Sequence, residues 1–155
     1  ESIMYLDGLD ELDRKIVRLL IENARISYSD IGEKVGISRV AVKARIQALE
    51  EKGIIEEYTT VINPQKISGA VSCYFEIETT PNCLAKVTEI LNRQDTVTQI
   101  YRGTGKDKLH VHAVAASGEE METFLHTVID PLPGVVSCSC NMILSRIKDI
   151  KGLRL

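Results

Sequence analysis

Apolar residues recur at helical spacing in the first fifty positions of this chain and alternate with polar ones after residue 70. Leu12, Ile16, Leu19 and Leu20 share one helical face behind Asp10 and Asp13, a short-side-chain variant of the capping box. This predicts a first helix running to about Asn23. Ser27 and Asp30 open a second, short helix through Ile31 and Val35, which Gly36 stops. Ile37 anchors a tight connection, and Ser38 can cap a third helix by accepting from its free N–H groups. That helix carries Val40, Val42, Ile46 and Leu49 on its apolar side and ends at Gly53, which tolerates a left-handed cap. Two short helices joined by about three residues form a helix-turn-helix corner. Residues 54–62 are rich in β-branched and aromatic types and read as extended, so a wing or strand is expected to pack against the helices.

Asn63 and Pro64 mark a boundary, because proline restricts its own backbone and that of its predecessor. Beyond the linker, Val71, Cys73, Phe75 and Ile77 alternate with Ser72, Tyr74, Glu76 and Glu78, as in a strand with one buried face. A helix follows Pro81 and carries Leu84, Val87, Ile90 and Leu91; strands are expected at 97–102 and near 109–115, joined by the turn 103–107. Gly118 precedes a helix through Met121, Phe124, Leu125, Val128 and Ile129, and a last strand spans about 135–144. The expected class is α+β: a winged helix-turn-helix over 1–62, a linker over 63–69, and a ferredoxin-like βαββαβ sandwich over 70–155. Helices cover one face of such a sheet. Tyr74, Val97, Gln99, Tyr101, His110, His112, Val114 and Ile143 are candidates for the other, a half-apolar surface suited to a second copy in a two-fold homodimer.

Composition narrows the function classes. The apolar runs are short and broken by charge, so no segment could span a membrane, and the start lacks a basic region followed by an apolar stretch. A cytoplasmic protein is expected. Cys138 and Cys140 share one alternation class, and Cys73 on the neighbouring strand falls beside them; the three read as buried small hydrophobes facing the helices, with a thiol cluster as the alternative, and the single residue between Cys138 and Cys140 is too short for a zinc knuckle. His110 and His112 sit two apart on one strand face. A metal pair or pH sensor is conceivable there, but ordinary interface histidines are the expectation. No metal, cofactor or catalytic arrangement of nucleophile, histidine and acid is expected, so the chain does not read as an enzyme.

The net charge of −3 disfavours general attraction to nucleic acid, yet Arg39, Lys43 and Arg45 lie between Gly36 and Leu49 with no acid among them. A small basic surface pressed on double-stranded DNA is the reading this supports; a solvated helix face is the alternative. The candidate DNA-binding residues are Ser38, Arg39, Ala41, Lys43, Arg45 and Gln47, with Lys52 less certain. Arg39 in the first turn could reach base edges, Lys43 lies one turn along the same face, and Arg45 points elsewhere, toward a phosphate. Glu56 and Glu57 make a phosphate-contacting wing awkward. Tyr28 either touches phosphate or fills the gap between helices. In the turn at 103–107, Thr104, Gly105 and Asp107 could meet a small zwitterion, with an ordinary hairpin turn as the alternative.

Taken together, Leu9-Asp10-Glu11-Leu12-Asp13-Arg14-Lys15-Ile16, Asn23-Ala24-Arg25, Val35-Gly36-Ile37-Ser38, residues 42–50 and Gly53-Ile54-Ile55 resemble the N-terminal half of the Lrp/AsnC, or feast/famine, regulators. Asn63-Pro64, Thr104-Gly105 and Leu132-Pro133-Gly134-Val135 continue the resemblance over nearly the whole chain. It implies transcription regulation, homodimers that often assemble into octamers, and an amino-acid-like effector bound near the turn before the third strand. Ser38, Arg39, Lys43 and Arg45 match the DNA-reading helix, and Thr104, Gly105 and Asp107 match the effector turn. Here that turn reads Gly105-Lys106-Asp107-Lys108, with the acid one place early, no aromatic, and lysine at the usual acidic position. Two functions follow: a regulator adjusted by a small metabolite, or a DNA-organising oligomer with no effector.

Overall fold

Side-chain caps start the N-terminal helices. Asp10 accepts from the N–H of Asp13 at the head of α1 (Glu11–Glu22), Ser27 from Asp30 at α2 (Tyr28–Val35), and Ser38 from Ala41 at α3 (Arg39–Glu51). Each satisfies one of the donors that a helix start leaves free. The computed structural model describes residues 8–67 and 69–155. Residues 1–7 of the expected first domain and Ser68 of the expected linker lie outside the described residues. Two compact units emerge: 8–61 with Ile150–Leu155, and Ile62–Asp149. The last six residues, expected in the second unit, group with the first, where Lys151 pairs with Glu57.

In the first unit, Ile16, Ile31, Val42 and Ile46 form the buried centre, with Leu12, Leu19, Leu20, Ile26, Tyr28, Val35, Ile37 and Ile55 packed around it. Tyr28 therefore fills space between helices. Gly36 closes α2 at φ +80°, and the Gly32 carbonyl accepts from both Gly36 (2.8 Å) and Ile37 (3.1 Å). A Cβ on Gly32 would lie 2.5 Å from the Ile37 carbonyl oxygen. The turn of the motif is tight because this position has no side chain.

Two expectations for this unit are corrected. No strand forms over 54–62: the N–H groups of Ile54 and Ile55 both turn back to the Leu49 carbonyl, and Tyr58, Val61 and Ile62 are exposed. A wing needs a second strand to satisfy its backbone, and a single extended run within this unit has none. Val40, expected among the core residues of the third helix, is 76% exposed. At about 100° per residue it lies about 160° around α3 from Val42, on the opposite side from Ile46 and Leu49.

The second unit begins with a single 3-10 turn at Pro64–Lys66. It continues as β1 (Val71–Thr79), α4 (Leu84–Asn92), β2 (Val97–Arg102), β3 (Lys108–Ala115), α5 (Gly118–Phe124) and β4 (Val135–Met142). The helix of α5 runs on through a π-helical stretch at Leu125–Ile129. The sheet is antiparallel with order β2-β3-β1-β4, the βαββαβ arrangement expected. Cys73, Phe75 and Ile77 of β1 and Leu109, Val111 and Ala113 of β3 bury one sheet face under Val87 and Leu91 of α4 and Met121 and Phe124 of α5. Phe75 and Phe124 meet edge to face at 6.1 Å.

Here too the structure corrects individual faces. A register shift between Val97 and Gln99 pairs Val97 with Ala113 and Ile100 with Val111, so Val97 joins the core and leaves the open face. The extra residue of a bulge reverses the alternation at that point. Cys138 and Cys140 do stand opposite Ile77 and Phe75, but both are exposed; of the three cysteines expected there, Cys73 alone is buried. As an edge strand, β4 lies beyond the cover of the helices, and Val136 and Met142 are exposed with it. The side chain of Cys83 is half-buried.

Candidate nucleic-acid interface

The helix α3 buries Val42, Ile46 and Leu49 and turns Arg39, Val40, Lys43, Ala44 and Gln47 outward. These five positions fall within about 140° of arc at 100° per residue. The outward face is basic and apolar over its first two turns and becomes acidic at Glu50 and Glu51. Repulsion of phosphate by that acidic end favours approach through the N-terminal half, where the helix dipole is also positive. Two residues of this face, Val40 and Ala44, were missed by sequence reasoning. The signal available was angular, since both lie opposite the Val42, Ile46 and Leu49 side.

Other candidate residues have different surroundings. Ser38 is exposed, and its Oγ accepts from the N–H of Ala41 at 3.1 Å, so it caps the helix. Ala41 is half-buried, and Lys52 sits exposed at the C-cap. Arg45, expected to reach a phosphate, is on the opposite flank of α3, where it donates to Asp10 at 2.7 Å and Asp13 at 2.8 Å. The hydrogen bond from Arg45 holds the Asp10 carboxyl below its usual range, and the two carboxylates make the guanidinium hold its proton more firmly. Arg45 thus ties α3 to the head of α1 and is already matched by acid. The sequence could not indicate this, because the two partners lie 35 and 32 residues away.

Beside Arg39 lies an open concavity of about 480 Å³, whose lining includes Ser27, Tyr28, Ser29, Glu50 and Tyr58. The Tyr58 hydroxyl donates to Glu50 at 2.9 Å, which holds the run after α3 against the end of that helix. Burial, followed by the bond to Glu50, pushes the Tyr58 phenol up to about 12.

In the second unit, the 103–107 turn joins β2 to β3. Thr104 and Gly105 are exposed, and Asp107 is half-buried. The Asp107 carbonyl accepts from the N–H of Thr79 at 2.9 Å, which fixes the turn to the end of β1. Arg102 lies 3.7 Å from the Asp107 carboxylate and Lys106 lies 3.8 Å from Glu78. The charges of this turn are therefore paired within the unit.

A helix-turn-helix with a basic outward face, followed by a ferredoxin-like domain, defines the class of two-domain DNA-binding regulators. The AsnC-type helix-turn-helix domain family matches residues 9–50, and the Lrp/AsnC ligand binding domain family matches 72–153. The HTH-type transcriptional regulator LrpA of Pyrococcus horikoshii is 34% identical over 140 residues, covering 90% of this chain and 99% of LrpA. The regulator Ptr1 of Methanocaldococcus jannaschii is 33% identical over 141 residues, covering 91% of this chain and 95% of Ptr1. A Neisseria meningitidis transcriptional regulator crystallised with L-Met shares the fold, with a TM-score of 0.83 at 20% identity over 94% of this chain and 96% of its own. The chain belongs to the Lrp/AsnC family of transcriptional regulators. It is a DNA-binding regulator with a ligand-binding domain, a role distinct from catalysis. Among the described residues no helix is long and apolar enough to cross a membrane.

Proposed function

We propose that α3 reads the major groove of double-stranded DNA through Arg39, Val40, Lys43 and Gln47, and that two copies of the chain supply two such helices. In this reading Arg39 pairs with guanine, Gln47 with adenine, Lys43 with a base edge or a phosphate, and Val40 with a thymine methyl. The outward basic and apolar face of α3, with Arg45 withdrawn to Asp10 and Asp13, carries this reading. One such helix on an acidic chain gives little non-specific attraction, so useful affinity depends on two helices at fixed spacing. The open face of the sheet is the surface on which a second copy sits, and octamers would extend the same assembly. Working on the chromosome puts the regulator in the cytoplasm.

A small amino-acid-like effector at the 103–107 turn adjusts this assembly. Its ammonium group competes with Arg102 for the Asp107 carboxylate, while Thr104 and the backbone at Gly105 meet its other end. The L-Met held by the Neisseria meningitidis regulator makes the amino acids the first set to try. An effector-free DNA organiser is the second reading, favoured by the pairing of Asp107 with Arg102 and of Lys106 with Glu78. DNA-protection mapping repeated with each amino acid separates the two. A saturable change in the protected pattern supports effector control, and an unchanged pattern with all of them supports the organiser. No protected site at all sinks the DNA-reading assignment.

Val40 gives a sharper check on α3. Replacing the contacted thymine by uracil removes one methyl group, worth about 1 kcal/mol or roughly fivefold in affinity. Val40→Ala is expected to cost a similar amount on thymine and nothing further on uracil. Independent, additive losses would show that the two groups do not meet.

A further inference from the structure

The open sheet face carries a continuous chain of hydrogen-bonding groups. The register sets Glu76 of β1 opposite His110 of β3, and Tyr74 opposite His112. Nδ1 of His110 is hydrogen-bonded to Glu76, and Nε2 of His110 lies 2.7 Å from Nε2 of His112. Tyr74 packs against both rings, with centroids 5.6 Å and 6.1 Å away. A carboxylate only accepts, so His110 donates its Nδ1–H to Glu76. Neutral His110 then has a lone pair at Nε2, and His112 must donate Nε2–H to it. One proton is thus held between the two facing nitrogens. Among the described residues no group of three histidines, cysteines or acids is arranged to hold a metal ion; Glu76 meets the outer nitrogen of His110 and not the gap between the rings, and two nitrogens 2.7 Å apart suit a proton.

We propose that Glu76, His110 and His112 form an acid-responsive switch that releases a second copy of this chain from the sheet face as pH falls. The proposal rests on the dimer reading above. The centre of the face suits a second copy: Tyr74, Tyr101, Gln99, Asn141 and the two histidines surround a single carboxylate, the aromatic-rich and charge-poor make-up of an interface core.

Other groups bear on the pair from each neighbouring element. Tyr101 and Gln99 of β2 stand opposite His110 and His112, Ser139 and Asn141 of β4 flank Glu76 and Tyr74, and Lys108 and Glu78 face each other one rung away. Asp149, paired with Arg146 at 3.5 Å, acts on His112 from the segment after β4. Burial, and then His110, lowers the His112 pKa below its ordinary 6.5, against a weaker opposite pull from Asp149 and Glu76. The folded chain by itself therefore favours neutral His112. Its contribution to the stability of that fold is whole above pH 6.5, declines as pH falls below that value, and is lost beneath the depressed pKa.

The first added proton enters Nδ1 of His112 and keeps the N–H···N bridge. A second places N–H on both Nε2 atoms, which cannot stay 2.7 Å apart. The three groups pass from a net charge of about −1 to about +1. In a two-fold contact the same charge develops on both facing copies, which repel.

Sedimentation of the full chain at about pH 7.5 and about pH 5.5, at fixed ionic strength, tests the switch. The dimer dissociation constant is expected to rise by about tenfold or more on acidification, and by less than about threefold in His112→Gln, which keeps a donor but does not titrate. Glu76→Gln, which keeps an acceptor without the charge, is expected to move the transition to lower pH and serves if His112→Gln does not fold. A wild-type dimer whose dissociation constant is the same at both pH values overturns the switch alone. Monomers at both pH values overturn the dimer and the switch with it.

Discussion

Arg39→Ala is expected to weaken operator binding by about 1 to 3 kcal/mol, roughly fivefold to 150-fold, and to relax the base preference at one position of each half-site. Arg39 is exposed in the first turn of α3, and no ion pair engages it among the described residues, so its loss leaves nothing unpaired within the unit. The melting temperature should therefore hold. Arg45→Ala is expected to do the reverse, because it removes the tie from α3 to Asp10 and Asp13 and leaves the outward face intact. Titration of operator DNA with each variant, beside thermal melts followed by circular dichroism, separates the two roles. Unchanged affinity for Arg39→Ala, or a loss equal on operator and random DNA, would remove Arg39 from base readout.

Gly32→Ala is expected to destabilise the helix-turn-helix unit more than any conservative change on its surface. The new Cβ would sit 2.5 Å from the Ile37 carbonyl oxygen and 3.5 Å from the Arg39 N–H nitrogen, both backbone atoms, so no side chain can rotate away. Relief requires α2 to move away from the turn, which disturbs the small core of Ile16, Ile31, Val42 and Ile46. Such overpacking costs about 1 to 3 kcal/mol, and a unit of this size loses roughly 4 to 8 °C for each kcal/mol. Operator binding should fall in parallel as the unit opens. Gly36→Ala is the comparison: it strains a left-handed backbone but meets no neighbour within 4 Å, and costs about 1 to 2 kcal/mol. A Gly32→Ala melt that overlays the wild type would mean that the turn is looser than its close contact implies.

Local chemistry makes much of the chain legible in its sequence. Asp10, Ser27 and Ser38 each act on an N–H three residues away, so the three helix starts are visible in short windows of residues. The alternation from Val71 to Glu78 likewise reports burial on one side of β1, and the antiparallel sheet has the predicted strand sequence. The resemblance to the Lrp/AsnC regulators rests on the same stretches.

Tertiary structure decided which way particular side chains face and what they meet. Arg45 reads in the sequence as a phosphate-directed cation off the face of Arg39 and Lys43, and becomes a tie to α1 because Asp10 and Asp13 arrive from the far end of the unit. Val97 changes face through a bulge whose position depends on pairing with β3. Cys138 and Cys140 have the alternation of core residues and remain exposed because β4 is an edge that no helix covers. The run at 54–62 has strand-like composition and, with no partner strand in its unit, forms no wing. Caps and periodicity act over a few residues and are written in sequence order. Partners, edges and bulges depend on segments tens of residues apart, so the basic surface read from composition became the face of Arg39, Val40, Lys43, Ala44 and Gln47 only when the helices packed.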